Sequence, residues 1–281
     1  MRSDIFIAKN YRSSRTEYPL SPFQEARLKI EKSHVISSVC DLGSGSGPSM
    51  EVILKTFPSI QSAHLVDRDP KMIDEAKFVL APYGNTPLSF AFQVGEADNP
   101  ETFSHFKEES IDLITIGSAL HWMDRAQVAQ ISKRLLRSDG FLFAFEYQFP
   151  KALGHFELNH WIKSEFNKNW KAPLQKPRGK FEDFFQPFLG DFKKIPLPKF
   201  KWIEALNQEQ FLNQLFSQSR YLQFEKNLPP DEVALYREEI SKKIEPFFSD
   251  STLEFDFYFS SALLQKTNSS GSFEKTQISL G

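Results

Sequence analysis

The chain has 281 residues, of which 40% are hydrophobic and 25% are charged, and its formal net charge is −2. These values are ordinary for a globular protein of one large domain, or of one domain with an insertion. A net charge this small does not suggest a phosphate-backbone partner, which would favour a basic face, so nucleic acid is disfavoured. A single cysteine excludes an internal disulfide, and no apolar run approaches the ~18 residues of a membrane helix. We therefore expect a cytoplasmic protein without a signal peptide, and a monomer by default.

The first predicted element is a helix that begins at Ser21. Serine is a favourable N-cap residue, and Pro22 suits the first helical position. Proline and the apolar pattern likewise predict helices over residues 48–56 and 70–80, the second with Asp69 as its N-cap.

A buried strand with a glycine-rich turn follows. Apolar residues lead to Asp41, and three glycines, Gly43, Gly45 and Gly47, come after it at alternate positions. Backbone that approaches a ligand closely leaves no room for a Cβ and must adopt positive φ, which glycine allows. Pro48 then stands where a helix takes its first residue. The pattern predicts a strand, a tight turn and a helix start.

The second predicted strand, residues 63–67, ends in an acid. Asp67 lies roughly 20 residues beyond the glycines, where nucleotide-binding folds hold a ribose diol. The G-x-G-x-G turn lacks the spacing of the dinucleotide fingerprint, and Asp41 would repel a pyrophosphate. A cationic nucleoside without phosphate tolerates such an acid, and S-adenosylmethionine carries a sulfonium and an ammonium group.

This stretch resembles the class I, Rossmann-like S-adenosylmethionine-dependent methyltransferases. Their first motif is an acid followed by G-x-G-x-G, and their second strand ends in the ribose acid. The resemblance implies S-adenosylmethionine as the cofactor. It assigns cofactor contacts to the matching residues Asp41, Gly43, Gly45, Gly47 and Asp67.

A further cofactor contact is expected after the third predicted strand, residues 88–94. In the resembling family, an acidic residue in this turn accepts a hydrogen bond from the adenine amino group, and Asp98 occupies that place. Glu96 competes for the role, and simple solvation of either acid is the alternative.

The fourth predicted strand, residues 112–117, leads directly into His121 and Trp122. Ligands sit at the carboxyl ends of strands in open α/β sheets. A His-Trp pair here resembles the fourth motif of methyltransferase type 11 proteins, in the branch that acts on trans-aconitate and juvenile hormone acid. The resemblance implies that both residues are catalytic and bind the substrate, and that Ser118 contacts the cofactor. A structural hydrogen-bonding role for His121 stays open.

The N-terminal segment resembles the same branch in the spacing of its aromatic residues and Arg15, and there this segment closes over the cofactor. The resemblance implies that Tyr11 or Arg15 meets the methionine carboxylate, which suits the paired donors of arginine. Thr16 departs from the family pattern, which has proline there, and a solvated arginine is the alternative.

The second half of the chain contains two further motifs with polar or histidine side chains. Ser219, Arg220 and Tyr221 resemble a serine-rich turn of the same branch, which implies donors for a substrate carboxylate; capping and packing at a helix junction is the alternative. His155 and His160 lack a cluster of zinc-like spacing, so we predict no metal site.

Strands and helices alternate from residue 38 to 147, which is typical of a doubly wound parallel sheet. The predicted fold class is α/β: a Rossmann-like, doubly wound, mostly parallel seven-stranded sheet with helices on both faces and a helical insertion after strand five. The predicted regions are a cofactor-covering segment (1–37), the cofactor-binding core (38–149), an insertion over the substrate pocket (150–199), strands and helices that complete the sheet (200–266) and a disordered tail (267–281).

The sequence thus predicts an S-adenosylmethionine-dependent methyltransferase with a small-molecule substrate. The branch resemblance favours O-methylation of a carboxylic acid, which is already ionised and which His121 would orient. With a phenol or enol acceptor, His121 would act as a base. The alternatives are C- or N-methylation of another metabolite, an NAD-dependent oxidoreductase, and a cofactor-binding protein without catalysis.

Overall fold

A nine-stranded sheet forms the centre of the computed structural model, which describes residues 17–85, 87–170, 180–248 and 252–267. Five strands run parallel in the order β3-β2-β1-β4-β5, and β9 runs antiparallel beside β5. The strands are β1 (Ser38–Leu42), β2 (Ser62–Asp67), β3 (Ser89–Val94), β4 (Ile111–Gly117), β5 (Leu136–Tyr147), β6 (Lys151–Ala152), β7 (Phe192–Ile195), β8 (Phe200–Asn207) and β9 (Thr252–Lys266).

Helices connect most of these strands. The α-helices are α1 (Leu20–Ile30), α2 (Pro48–Thr56), α3 (Pro70–Leu80), α4 (Arg125–Leu135), α5 (Phe156–Lys168), α6 (Gln208–Phe216), α7 (Ser219–Glu225) and α8 (Pro230–Ile244). Over the described ranges, no helix combines the length and the apolar character needed to cross a membrane.

The nine strands occupy seven rows of the sheet, because two rows are interrupted near prolines. β7 and β8 both pair with β9, and residues 196–199 between them lie opposite only the three residues 260–262. β6 likewise continues the row of β5 beyond Pro150. Proline cannot donate to a ladder and is therefore confined to edges and bulges. The predicted Rossmann-like fold is confirmed, and the two strands beyond the predicted seven are continuations of existing rows.

Proline also marks helix starts, as the sequence predicts. α2 begins at Pro48, and α3 begins at Pro70 with the Asp69 carboxylate accepting a hydrogen bond from the Lys71 amide at 2.9 Å. The predicted start of α1 is wrong, because that helix begins at Leu20, ahead of Ser21, without a side-chain cap. The predicted alternation also fails once, since only the short 3₁₀ turn Pro100–Phe103 lies between β3 and β4.

Both faces of the parallel sheet are buried. On one face, α4 and the 3₁₀ segment Phe181–Phe188 pack against apolar residues of the central strands, including Ile114 and Leu142. On the other face, α1, α2 and α3 pack against the residues that alternate with these, including Leu113 and Phe143. This arrangement leaves the carboxyl ends of β1, β2 and β4 at one edge of the sheet.

A third apolar cluster, here called the cap cluster, is built on the N-terminal half of β9. Phe255 and Phe257 contribute from the strand, and α5, α6, α7 and α8 cover them. The insertion after β5 is divided between two clusters, because α5 belongs to the cap cluster whereas Phe181–Phe188 packs with α4. Its predicted place over a substrate pocket stays a prediction.

Candidate functional site

The glycine-rich turn between β1 and α2 folds back onto β2. The amides of Gly43 and Ser44 both donate to the carbonyl oxygen of Val66, at 2.8 and 3.0 Å. Gly43, Gly45 and Gly47 have φ values of +69°, +54° and +93°, which side chains rarely adopt. The sequence pattern therefore identifies a backbone conformation that requires glycine.

Gly43 and Gly45 have different surroundings. A Cβ on Gly43 would lie 2.7 Å from Ala119 Cβ and from Met123 Cε, so this glycine allows the loop after β4 to close against the turn. A Cβ on Gly45 would meet no atom of the described residues within 4 Å. Gly45 thus borders open space at the carboxyl edge of the sheet, which is the place for a ligand.

Asp67 joins the end of β2 to this turn. Its Oδ2 accepts from the Gly45 amide at 2.8 Å, and its Oδ1 accepts from the Asp69 amide at 2.9 Å. Burial raises the pKa of Asp67, although these two hydrogen bonds oppose the effect. The carboxylate predicted to hold a ribose therefore lies directly against the glycine turn.

Asp41 is fully buried at the root of the turn. Its Oδ1 accepts from the Thr115 hydroxyl at 2.7 Å, and its Oδ2 accepts from the Ser49 hydroxyl. Burial raises the pKa of Asp41 to about 6. Because both oxygens have partners within the protein, Asp41 ties β1 to α2 and β4, and its direct contact with a cofactor stays a prediction.

Ser44 and Ser46, between the glycines, were missed by the sequence reasoning. Both side chains are buried, and their hydroxyls have no hydrogen-bond partner within the described residues. Buried polar groups are nearly always satisfied, so two such hydroxyls in one turn indicate a polar ligand there. The signal was visible as serines alternating with the glycines, but hydroxyls in a turn are too common to single out.

Asp98 ties the turn after β3 to the start of α4. Its Oδ2 accepts from the Asp124 amide at 2.6 Å, and the Asp124 side chain caps α4 through the Ala126 and Gln127 amides. Asp98 therefore lies beside the loop after β4. The competing acid, Glu96, is exposed. A contact of either acid with adenine stays a prediction.

The end of β4 has a strained backbone. Ser118 has φ +52°, and its amide donates to the Phe145 carbonyl oxygen at 2.8 Å. Its hydroxyl lies 3.1 Å from the hydroxyl of Tyr18, which precedes α1. Such strain is concentrated at functional sites. Tyr18 connects the N-terminal segment to the site, whereas Tyr11 and Arg15 lie outside the described residues.

His121 and Trp122 follow in the loop that rests on Gly43. Their rings are 4.9 Å apart between centroids, and Trp122 is 45% exposed. His121 Nδ1 lies 3.8 Å from Oε2 of Glu146, and both side chains are largely buried. Glu146 was missed by the sequence reasoning, although an acid that ends an otherwise apolar strand was the available signal.

The structure does not bring Tyr221 to this group. Its side chain is fully buried in the cap cluster, with its ring centroid 5.3 Å from that of Trp170 and 4.8 Å from that of Phe216. Ser219 is exposed and Arg220 is half-buried on the same helix, α7. This favours packing at a helix junction, the alternative for the motif, and donors to a substrate stay a prediction. The parts of the chain that the structure describes hold no group of three or more potential metal ligands.

Comparison with known proteins finds a family match in the central part of the chain. Residues 40–144 match a family model described as a methyltransferase domain. The probable S-adenosylmethionine-dependent methyltransferase CRG1 of Saccharomyces cerevisiae is 28% identical over 170 residues, which are 58% of this chain and 55% of that protein. The chain thus spans about half the length of this curated relative.

Solved structures share the fold. A protein described as a type II methyltransferase, from Anaeromyxobacter dehalogenans, superposes with a TM-score of 0.62 at 17% identity, over 89% of this chain and 97% of that one. A protein described as a methyltransferase, from Bacillus halodurans, gives a TM-score of 0.50 at 14% identity, over 86% and 98% of the two chains.

Proposed function

Because residues 40–144 belong to the methyltransferase domain family and form the core of a class I, Rossmann-like fold, we propose that this protein transfers a methyl group from S-adenosylmethionine to a small molecule. One observation carries the proposal. The glycine turn leaves open space at Gly45, whose amide donates to the Asp67 carboxylate, and the loop of His121 packs against Gly43 of the same turn.

The residues around this space suit S-adenosylmethionine, which supplies an electrophilic methyl group on a sulfonium centre. Asp67 would accept hydrogen bonds from the ribose hydroxyls. The unsatisfied hydroxyls of Ser44 and Ser46 would bind polar groups of the cofactor. Asp98, or Glu96 in its place, would receive the adenine amino group. Ser118, and Tyr11 or Arg15 of the N-terminal segment, would complete the contacts.

Electrostatics support a cationic ligand over a dinucleotide. Asp41 is buried and Asp67 is half-buried at the turn, and each raises the free energy of an anion placed there. A pyrophosphate would meet this repulsion, whereas a sulfonium or ammonium group would relieve it. The NAD-dependent alternative is disfavoured for this reason and by the spacing of the glycines.

Two classes of acceptor are compatible with the site. The branch resemblance favours a small carboxylic acid, whose oxygen is ionised near neutral pH and which needs no base. Glu146 favours an acceptor that still carries a proton, because a buried acid 3.8 Å from His121 would repel a carboxylate.

Transfer of a labelled methyl group from S-adenosylmethionine to a panel of carboxylic acids, phenols and amines tests the proposal. We expect a labelled product with at least one of these classes. His121→Ala should lower turnover with little change in cofactor affinity, because His121 would contact the acceptor. Absence of labelled product together with absence of S-adenosylmethionine binding would contradict the proposed function.

A further inference from the structure

We propose that Glu146 is a positioning residue for His121, and that the acceptor carries a proton on the atom to be methylated. The inference rests on the proposed methyl transfer and names the class of its second substrate: a phenol, enol, thiol or amine in place of a carboxylate.

The position of Glu146 is unusual for an acid. β5 is buried between two layers of helices, and the residues before Glu146 on this strand, from Gly140 to Phe145, are all buried. Glu146 itself is only 6% exposed. In the antiparallel register it stands opposite Ser260, so both side chains lie on the face that α4 covers. A carboxylate held in such a place needs compensating contacts.

His121 provides one of these contacts, and its orientation follows from the geometry. The nitrogen nearer to Glu146 is Nδ1, at 3.8 Å from Oε2, which is ion-pair distance when the ring is protonated. A carboxylate beside Nδ1 favours the tautomer with its proton on that nitrogen. Nε2 then has a lone pair, which is what a general base requires.

The loop places this base beside the cofactor turn. Ala119 and Met123, on either side of His121, both pack so closely on Gly43 that a Cβ there would lie 2.7 Å from each. The loop is fixed at its far end, because the Asp124 amide donates to Asp98. The packing on Gly43 and the hydrogen bond to Asp98 therefore fix the backbone on both sides of His121 without involving its ring.

The proposed step is balanced in atoms and charge. Nε2 of His121 takes the proton of the acceptor as the acceptor atom forms its bond to the methyl carbon. The carbon–sulfur bond breaks, and its electron pair stays on sulfur in S-adenosylhomocysteine. The imidazolium formed is stabilised by the Glu146 carboxylate and then passes its proton to water. A carboxylate acceptor needs no such base and would bring a second negative charge toward Glu146.

The first test follows the His121 ring by ¹⁵N nuclear magnetic resonance in the full chain, without any acceptor. Six histidines are present, and His121→Gln assigns the signal. We expect the neutral ring to carry its proton on Nδ1 in the wild type and to shift toward the Nε2 tautomer in Glu146→Leu. Glu146→Gln preserves the shape of the side chain and serves if the leucine variant does not fold. The control Glu254→Gln removes an exposed acid of β9 that lies on the same face of the sheet as Glu146, and it should leave the signal unchanged.

A proton on Nε2 in the wild type, or a tautomer that does not change when Glu146 is replaced, would overturn the inference.

The second test measures methyl transfer to the acceptor of the panel that reacts fastest. Glu146→Gln should lower kcat on the order of 100-fold with KM and S-adenosylhomocysteine affinity little changed. Faster transfer to carboxylic acids than to proton-bearing acceptors would also overturn it. A failure of the proposed function itself is distinct, since it appears as loss of cofactor binding in the wild type.

Discussion

Two glycines only two residues apart have separate roles in the site. Gly43 is packed against the loop after β4, and Gly45 borders the space proposed for the cofactor. Both have positive φ, so a side chain strains either position. We therefore expect a substitution at Gly43 to affect mainly stability and one at Gly45 to affect mainly cofactor binding.

Gly43→Ala should lower the free energy of unfolding by roughly 2–4 kcal/mol, since strain and overlap with Ala119 and Met123 add. Gly45→Ala should lower it by only about 1–2 kcal/mol, because strain alone acts. In contrast, Gly45→Ala should weaken S-adenosylmethionine binding by at least about tenfold, as its methyl group occupies ligand space. Urea unfolding and calorimetry measure the two effects. Equal loss of stability in both variants, or unchanged affinity in Gly45→Ala, would contradict this assignment.

Asp41 predicts a pH dependence of stability. Its pKa is about 6 in the folded protein, against 3.8 for an ordinary aspartate, so the folded state holds this proton more tightly than the unfolded chain. Its contribution to stability is therefore complete below about pH 4 and is lost as the pH rises through about 6. Such a shift corresponds to about 3 kcal/mol.

Asp41→Asn cannot ionise, so the comparison with the wild type isolates this effect. When the pH rises from about 4 to about 7, the wild type should lose up to about 3 kcal/mol of unfolding free energy relative to Asp41→Asn. Urea unfolding of both proteins at the two pH values measures it. A difference that is the same at both pH values would show that Asp41 does not titrate in this range.

The sequence was informative about residues wherever a backbone conformation demanded one residue type. Gly43, Gly45 and Gly47 and the cap at Asp69 could be predicted, because positive φ and helix starts restrict the choice. Glu146 and Tyr18 could not, because their importance arises from neighbours about 25 and 100 residues away, His121 and Ser118. Such pairs appear only when the sheet brings its strand ends together.

At the scale of elements, the cap cluster explains the motif at α7. Tyr221 lies against the rings of Trp170, Phe216 and Phe224 within the cap cluster, which is a packing role. The Arg237 guanidinium pairs with Glu225 at 2.7 Å and lies over the ring of Phe216, which ties α7 to α8. These contacts stabilise the cluster without any ligand.

Tyr221→Ala should therefore lower the unfolding free energy by roughly 3–5 kcal/mol, the usual effect of deleting a large buried ring. Tyr221→Phe keeps the ring and should leave kcat and KM within about twofold of the wild type. Steady-state kinetics with the best acceptor of the panel, beside thermal unfolding, measures both. A rise in KM of tenfold or more in Tyr221→Phe would contradict this and would support Tyr221 as a hydrogen-bond donor to the substrate.

Elements were predicted well where local signals coincide, as in α2 and α3, whose bounds follow from proline and the apolar pattern. The interrupted rows of the sheet could not be predicted. A proline in the sequence ends a strand, and only the pairing with β9 reveals that the same row resumes after it. The 3₁₀ turn Pro100–Phe103, which stands between β3 and β4 in place of a helix, was also missed.

At the scale of the whole molecule, the parallel sheet gathers the site. The ends of β1, β2, β4 and β5 meet at one edge, and with them come the glycine turn, Asp67, His121 and Glu146. Residues spread over a hundred positions of sequence are thus held by one rigid layer. If the ligand at this edge is a cationic nucleoside, the edge is a methyltransferase site.

Calorimetry with S-adenosylmethionine and with NADH tests that claim most directly. The wild type should bind S-adenosylmethionine in preference to NADH, and Asp67→Ala should weaken that binding by at least about tenfold, the loss of one or two hydrogen bonds to a carboxylate. Asp74→Ala, which removes an exposed acid paired with Lys77 on α3, should bind as the wild type does. A preference for NADH, or an affinity for S-adenosylmethionine that Asp67→Ala leaves unchanged, would contradict the assignment of this edge to a methyl donor.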